Sequence, residues 1–246
     1  YLDYLIYGLT PMTDDLATLR YRSNNLQMAP AIIRTRGHRL EGIWHAGSPL
    51  GMMISALRGI YICVPRNFVQ AAGMYNTLLQ SSDPAVVVEV LNGYRLKETK
   101  PDNLGDYTVP LGVPEVILEG EDVTVVTYGP NVRYAKEAIK QLEGAPFSVE
   151  LIDVQTLIPF DMEGMILASL KKTSRILFLD EDVPGGASSY MMQKVLEEQG
   201  GYRYLDARPR TLTAKEHRTP FGSDGDYFTK PQVGDIVDAI VEIMQE

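Results

Sequence analysis

The run Ala85-Val86-Val87-Val88-Glu89-Val90 decides how this chain folds. It is apolar at every position but one and rich in β-branched residues, and it follows the turn-forming Ser81-Ser82-Asp83-Pro84. A strand with one wet face alternates apolar and polar residues. A continuous apolar run instead reads as a strand covered on both faces, as parallel sheets are. Ile60-Tyr61-Ile62-Cys63-Val64, closed by Pro65, is a second such run. Between the two, Asn67 is placed to cap a helix reaching Gln80. Upstream, Ala29 to Thr35 reads as a short strand, and Ser48-Pro49 as the start of a helix to about Leu57. There Ser would cap and Pro would take the first helical position. Strand, helix, strand, helix, strand is the order of a parallel α/β sheet.

The chain then changes character. Asn92 to Leu118 is rich in Pro, Gly, Asp and Lys, shows little periodicity, and reads as a connector. A second strand–helix series follows. Strands are expected at Val123 to Thr127, Val149 to Val154, Ile176 to Leu179 and Arg210 to Ala214. Helices are expected from Asn131 to Leu142, Asp161 to Lys171, Ala187 to Glu198 and Gln232 to Met244. At the other end, Leu5, Leu9, Met12, Leu16 and Leu19 recur at helical spacing within Tyr1 to Ser23, with a break or kink expected near Thr10 because of Pro11. The expected fold class is α/β, two domains with mostly parallel sheets flanked by helices. The boundaries fall at 1–91, a connector at 92–120, and 121–246. The chain opens on Tyr1 within an apolar helical pattern, without Met, which reads as a piece of something longer.

Composition narrows the partners. Across 246 residues, 45% are hydrophobic and 22% charged, as in globular proteins. The net charge of −9 argues against nucleic acid, which needs a basic face. No apolar run is long enough to span a membrane, and no secretory signal pattern is present. The single cysteine, Cys63, lies in an apolar run; a buried, inert thiol and a reducing, cytoplasmic setting are expected.

The richest chemistry lies in Arg34-Thr35-Arg36-Gly37-His38-Arg39-Leu40-Glu41-Gly42-Ile43-Trp44-His45-Ala46-Gly47-Ser48-Pro49. This loop holds two of the three histidines and the sole tryptophan. His45, just before the expected helix, can serve as a general acid or base or hold a charged substrate. It can equally bond the loop backbone for shape. No paired spacing for metal ligands is present. Tyr128-Gly129-Pro130-Asn131 is an anion site at a helix start or an ordinary turn. Asp180-Glu181-Asp182, at the end of a strand, is a site, a domain contact or a solvated loop. His217 falls in a polar loop, where an exposed structural role is the default.

Taken in series, these residues resemble the beta subunit of thiamine-diphosphate-dependent 2-oxo acid dehydrogenases, a transketolase-like family. Tyr1-Leu2-Asp3-Tyr4 followed by Tyr21-Arg22-Ser23 is similar to its aromatic-x-Asp-Tyr and the helix ending in Tyr-Arg-Ser. His45-Ala46-Gly47-Ser48-Pro49 resembles its His-x-x-Ser-Pro, and Asp83 to Glu89 its Asp-Pro-x-x-x-x-Glu. Gly59 to Pro65, Asp106 to Gly112, Asp122 to Gly129 and Ile152 to Asp161 resemble further segments in the same order. No single motif is specific; the series is.

The resemblance implies the rear part of a pyrimidine-binding domain followed by a transketolase C-terminal domain. It implies oxidative decarboxylation of a 2-oxo acid, pyruvate or a branched-chain one, and reductive acylation of lipoyl groups. Tyr4 matches the tyrosine beside the aminopyrimidine ring of thiamine diphosphate, Tyr1 an aromatic nearby, and His45 the histidine that faces substrate and lipoyl group. Mg2+ and the cofactor's diphosphate would be held mostly by an alpha subunit or an N-terminal half. The glutamate that activates the aminopyrimidine would lie upstream of Tyr1, so this stretch alone is expected to be inactive. A dihydrolipoyl acyltransferase partner and a homo-oligomer are implied. Arg36, His38 and Arg39 match nothing in the family and are candidates for substrate or partner preference. A transketolase, a deoxyxylulose phosphate synthase, or a non-catalytic assembly and dimerisation module are the alternatives.

Overall fold

A computed structural model describes residues 1–37, 47–222 and 225–246. Nine strands form two sheets among these residues. The first has the order β1 (Ile32–Gly37), β3 (Ala85–Val90), β2 (Tyr61–Cys63), β7 (Thr156–Ile158). The second has the order β4 (Glu115–Leu118), β6 (Val149–Asp153), β5 (Val123–Thr127), β8 (Ile176–Leu179), β9 (Arg210–Leu212). Within each sheet one edge strand, β7 or β4, runs antiparallel and the rest are parallel. This is the α/β class expected from the sequence, and β3 is buried at all six positions. Each of its valines removes a full side chain from water, roughly 1.5–3 kcal/mol apiece before entropy is counted.

Helices Leu50–Ala56 and Phe68–Leu78 connect the first sheet. Asn67 caps the second of these, its Oδ1 accepting the Gln70 amide at 2.9 Å. In the second sheet the connecting helices are Asn131–Gln141, Met165–Thr173 and Ala187–Met192, and Val233–Met244 closes the chain. Asp161 lies before its helix, which starts at Met165. Its carboxylate accepts the amides of Met165 (2.8 Å) and Ile166 (3.1 Å), so the acid, three residues ahead of the N-cap Gly164, satisfies two first-turn donors of a helix expected to begin on it.

Two strands depart from the expectation. β4 lies inside the expected connector and is partly exposed along its length, so an edge position hides it from a periodicity reading. β7 follows Gln155, whose φ of 63° turns the chain out of the second sheet. Thr156–Ile158 then pairs antiparallel with β2 in the first. The amino-terminal segment is helical but irregular. A 3-10 turn at Ile6–Gly8 and a π-turn at Met12–Leu16 flank Leu9–Pro11, so the chain absorbs Pro11 by changing its winding there rather than by ending the helix.

One apolar core runs through both sheets. It joins Leu2, Leu50, Ile62 and Val86 on the first side to Val126, Ile152 and Phe178 on the second. A separate cluster lies beneath helices Asn131–Gln141 and Val233–Met244, and includes Val125, Leu151 and Ile240. No helix of the described residues is long and apolar enough to cross a membrane.

Candidate functional site

Parallel strands deliver their carboxyl ends to one edge of a sheet, where α/β folds build sites. β8 ends at Leu179, and the three acids that follow take three different roles. Asp180 is fully buried and accepts the amides of Ser188 (2.6 Å) and Asp182 (3.0 Å). It also accepts the hydroxyl of buried Tyr128. Burial first, then the Asp180 charge, holds the Tyr128 phenol well above its ordinary pKa. Asp180 is thus an anchor for the turn into helix Ala187–Met192. Asp182 reaches the other sheet's helices, its Oδ2 accepting the Gly51 amide at 3.3 Å. That approach needs glycine at 51, because a Cβ there would stand 2.8 Å from the Cα of Gly186.

Glu181 is buried and pairs with Lys230, Nζ to Oε2 3.2 Å. The same ammonium donates to Ser48 Oγ at 3.1 Å. Ser48 therefore does not cap helix Leu50–Ala56 as its position suggested; no side-chain cap bond is made there. Its hydroxyl is drawn to a buried cation that needs acceptors. On the other side, the Gly47 amide donates to Asp3 Oδ2 at 3.1 Å. Asp3 and Lys230 thus hold the carboxyl-terminal end of the Arg34–Pro49 stretch from two directions.

These groups line a cleft of about 570 Å³. Asp3, Ser48, Asp182, His217, Arg218 and Lys230 all contribute, from segments far apart in the chain. His217 is exposed; its Nδ1 lies 2.9 Å from the Arg218 carbonyl and its ring 5.8 Å from that of Phe228. The cleft offers buried and exposed groups of both signs, enough to orient a small charged molecule and to move protons.

Three of the sequence candidates cluster around Tyr1, two residues before the cleft residue Asp3. The rings of Tyr1 and Tyr4 stand edge to face, 6.2 Å between centroids at 86°. The Arg36 guanidinium lies 4.2 Å over the Tyr1 ring, a cation–π contact. Tyr4 keeps 49% of its surface open. His38, Arg39 and His45 lie outside the described residues. Lys230 carried no sequence signal as a site residue, and Asp3 entered only as part of the aromatic-x-Asp-Tyr motif. A lysine between Thr229 and Pro231 at the start of the last helix looks like surface charge until its depth is known.

Two further charged networks lie elsewhere in the fold. Glu89, buried on β3, takes both donors of Arg34 (2.9 and 3.0 Å), the Tyr75 hydroxyl (2.6 Å) and the Tyr94 hydroxyl. Burial raises its pKa, yet these donors outweigh burial and hold it below the usual carboxylate value. Arg66 joins the sheets, with Nη1 at 2.7 Å from Glu115 and 2.9 Å from Asp153. Complete burial of Asp153 costs its charge more than Arg66 returns, and its pKa is pushed up to about 6.

Comparison with known proteins places the fold. The family described as the transketolase C-terminal domain matches residues 112–228. The 2-oxoisovalerate dehydrogenase subunit beta of Bacillus subtilis (strain 168) is 29% identical over 200 residues, covering 80% of this chain and 60% of that protein. The pyruvate dehydrogenase E1 component subunit beta of Acholeplasma laidlawii is 28% identical, covering 93% of this chain and 69% of that protein. A solved split gene transketolase, described as an inactive beta4 tetramer, superposes with a TM-score of 0.75 at 19% identity over 97% of this chain and 72% of its own, a likeness of fold. Residues 112–228 thus belong to the family of transketolase C-terminal domains, and the chain as a whole is similar to beta subunits of 2-oxo acid dehydrogenases. It spans about 60% of the first of these relatives, so its match is to part of such a subunit.

Proposed function

We propose that this chain is the carboxyl-terminal part of the decarboxylating component of a 2-oxo acid dehydrogenase, acting with an alpha subunit or further chain and a dihydrolipoyl acyltransferase. The observation that carries the reading is the cluster of Tyr1, Tyr4 and Arg36, with Asp3, between the two tyrosines in sequence, in the lining of the cleft that gathers Gly47, Ser48 and Lys230. Together with the named relatives, it supports a site at the edge where both sheets end.

The aromatic pair suits thiamine diphosphate. Tyr4 presents a half-open ring, and Arg36 fixes Tyr1 behind it. A planar aminopyrimidine can lie against such a face. Mg2+ and the diphosphate are assigned, by the family resemblance, mostly to other parts of the complete enzyme. When bound, the cofactor supplies the electron sink for decarboxylation. The contribution of this chain is to orient and to move protons. His45 is assigned the proton transfer at an imidazole nitrogen toward substrate or lipoyl sulfur, by its match to the family motif. Asp3 and Lys230 hold Gly47 and Ser48, the residues that follow it. Arg36 is a candidate for recognising the substrate carboxylate, through charge-assisted bonds.

The test is carbon dioxide release by the full-length protein with its partner chain, using pyruvate and branched-chain 2-oxo acids, with and without thiamine diphosphate. Cofactor-dependent release from one of them is expected, lowered about a hundredfold or more in His45→Ala. Turnover of sugar phosphates alone would instead support the transketolase reading.

A further inference from the structure

A second cavity, of about 680 Å³, lies between the connector and the second sheet and shares no lining residue with the cleft. Its apolar lining comes from both sides of the molecule: Val90 and Leu96 from the end of β3 and the connector, Val116, Ile117 and Val132 from the second sheet and its helix. One wall is the exposed side of helix Asn131–Gln141. Arg133, Lys136 and Lys140 recur there at three- and four-residue spacing, so they share one face.

Charge accounting separates spent groups from available ones. Glu115 is occupied by Arg66 at 2.7 Å and Gln70 at 2.7 Å, and Arg66 by Glu115 and Asp153. Glu98 accepts the amides of Phe68 (3.4 Å) and Val69 (3.2 Å). Arg133 rests 5.3 Å from the ring of its neighbour Tyr134, and no salt bridge to Lys136, Lys140 or Glu137 occurs among the described residues. Three cations against two acids, Glu98 and Glu137, remain, a small local excess of positive charge in a chain whose net charge is −9. The ordinary reading is a solvated helix face above an apolar seam. That reading does not call for a cavity of ligand size with an apolar lining next to a local reversal of charge.

We infer that this cavity binds a nucleoside phosphate, its planar base against the apolar lining and Tyr134, its phosphates on Lys136 and Lys140. Lysines one helical turn apart can engage neighbouring phosphoryl groups, and the aromatic ring and aliphatic side chains take the base. Such a ligand would touch both sides of the seam and so stabilise their packing. The inference does not depend on the proposed decarboxylation.

The test is calorimetric titration of the full-length protein with ADP, adenosine and inorganic pyrophosphate. ADP is expected to bind more tightly than either fragment, and more weakly as salt is raised. The exposed double variant K136E/K140E is expected to weaken ADP by about tenfold or more with an unchanged melting temperature. Leu96→Asp, also at an exposed position, is expected to weaken ADP but not pyrophosphate. No ADP binding, equal binding of ADP and pyrophosphate, or indifference of ADP to K136E/K140E would each overturn the inference. Decarboxylase activity is unaffected by any of these outcomes, so the two readings fail separately.

Discussion

Lys230 Nζ lies 3.2 Å from Glu181 Oε2, with at most 2% of either side chain open to water. A buried pair adds little over an apolar pair of the same shape, but removing one partner leaves an uncompensated charge. Lys230→Met is therefore expected to destabilise the protein by about 3–5 kcal/mol. The double variant K230M/E181L is expected to recover most of that loss. Urea unfolding of the three proteins measures both. A double variant no better than the single would show that the pair is not the source.

Asp153 predicts an unusual sign of pH dependence. Its carboxyl is pushed up to about 6 from an ordinary 3.8, so the folded state binds more protons than the unfolded state between those values. Stability contributed by this group then falls as pH rises from about 4 to about 6 and is flat above. Arg66 stays protonated throughout, because its pKa is raised: burial lowers it, and Glu115 and Asp153 more than compensate. Comparing the wild type with Asp153→Asn at pH 4 to 7, the wild type is expected to lose ground up to pH 6. A constant difference over that range would contradict the shift.

Glu89 runs the other way. Its folded pKa is lowered, so its contribution is present above the unfolded value and lost as pH falls through the folded one. Glu89→Gln is expected to destabilise strongly at neutral pH, because it removes the acceptor of Arg34, Tyr75 and Tyr94 together. The gap to wild type is expected to narrow below pH 4 in thermal melts.

Gly47 and Asp3 are expected to be coupled. A Cβ at Gly47 would fall 1.8 Å from Asp3 Oδ1, so Gly47→Ala must expel that side chain and its bond. A loss of about 1–3 kcal/mol is expected. In an Asp3→Ala background the same substitution is expected to cost clearly less, since the obstacle is gone. Additive losses would place the strain elsewhere.

Cys63 is fully buried, and burial pushes its thiol up to about 12. It is expected to resist a thiol reagent at pH 8 in native protein and to react at once in urea. Rapid reaction without denaturant would mean that β2 opens readily.

Elements whose physics is local were legible in the sequence. The valines of β3, the Asn67 cap and the strand–helix alternation name themselves, because burial on both faces and capping leave marks within a few residues. Ser48 was misread because its hydroxyl answers to Lys230, 182 positions away. β7 was invisible because three residues carry no period, and only Gln155's left-handed backbone sends them to the other sheet. Of the candidate site, Tyr1, Tyr4 and Arg36 were named and are found together, and Glu181 was noticed without its partner. Lys230 was missed as a site residue because depth is a property of the whole fold, and Asp3 was named only within its motif.

The crossing of β7 has a consequence for how the protein folds and for how it can be cut. A chain ending near residue 120 would present β2 with a bare edge and would strip Val126, Ile152 and Phe178 from the core. An uncovered strand edge next to exposed apolar surface invites intermolecular pairing. Such a piece is expected to be insoluble, whereas a protease nick in the exposed Arg95–Lys100 stretch of the intact protein would leave its two fragments associated.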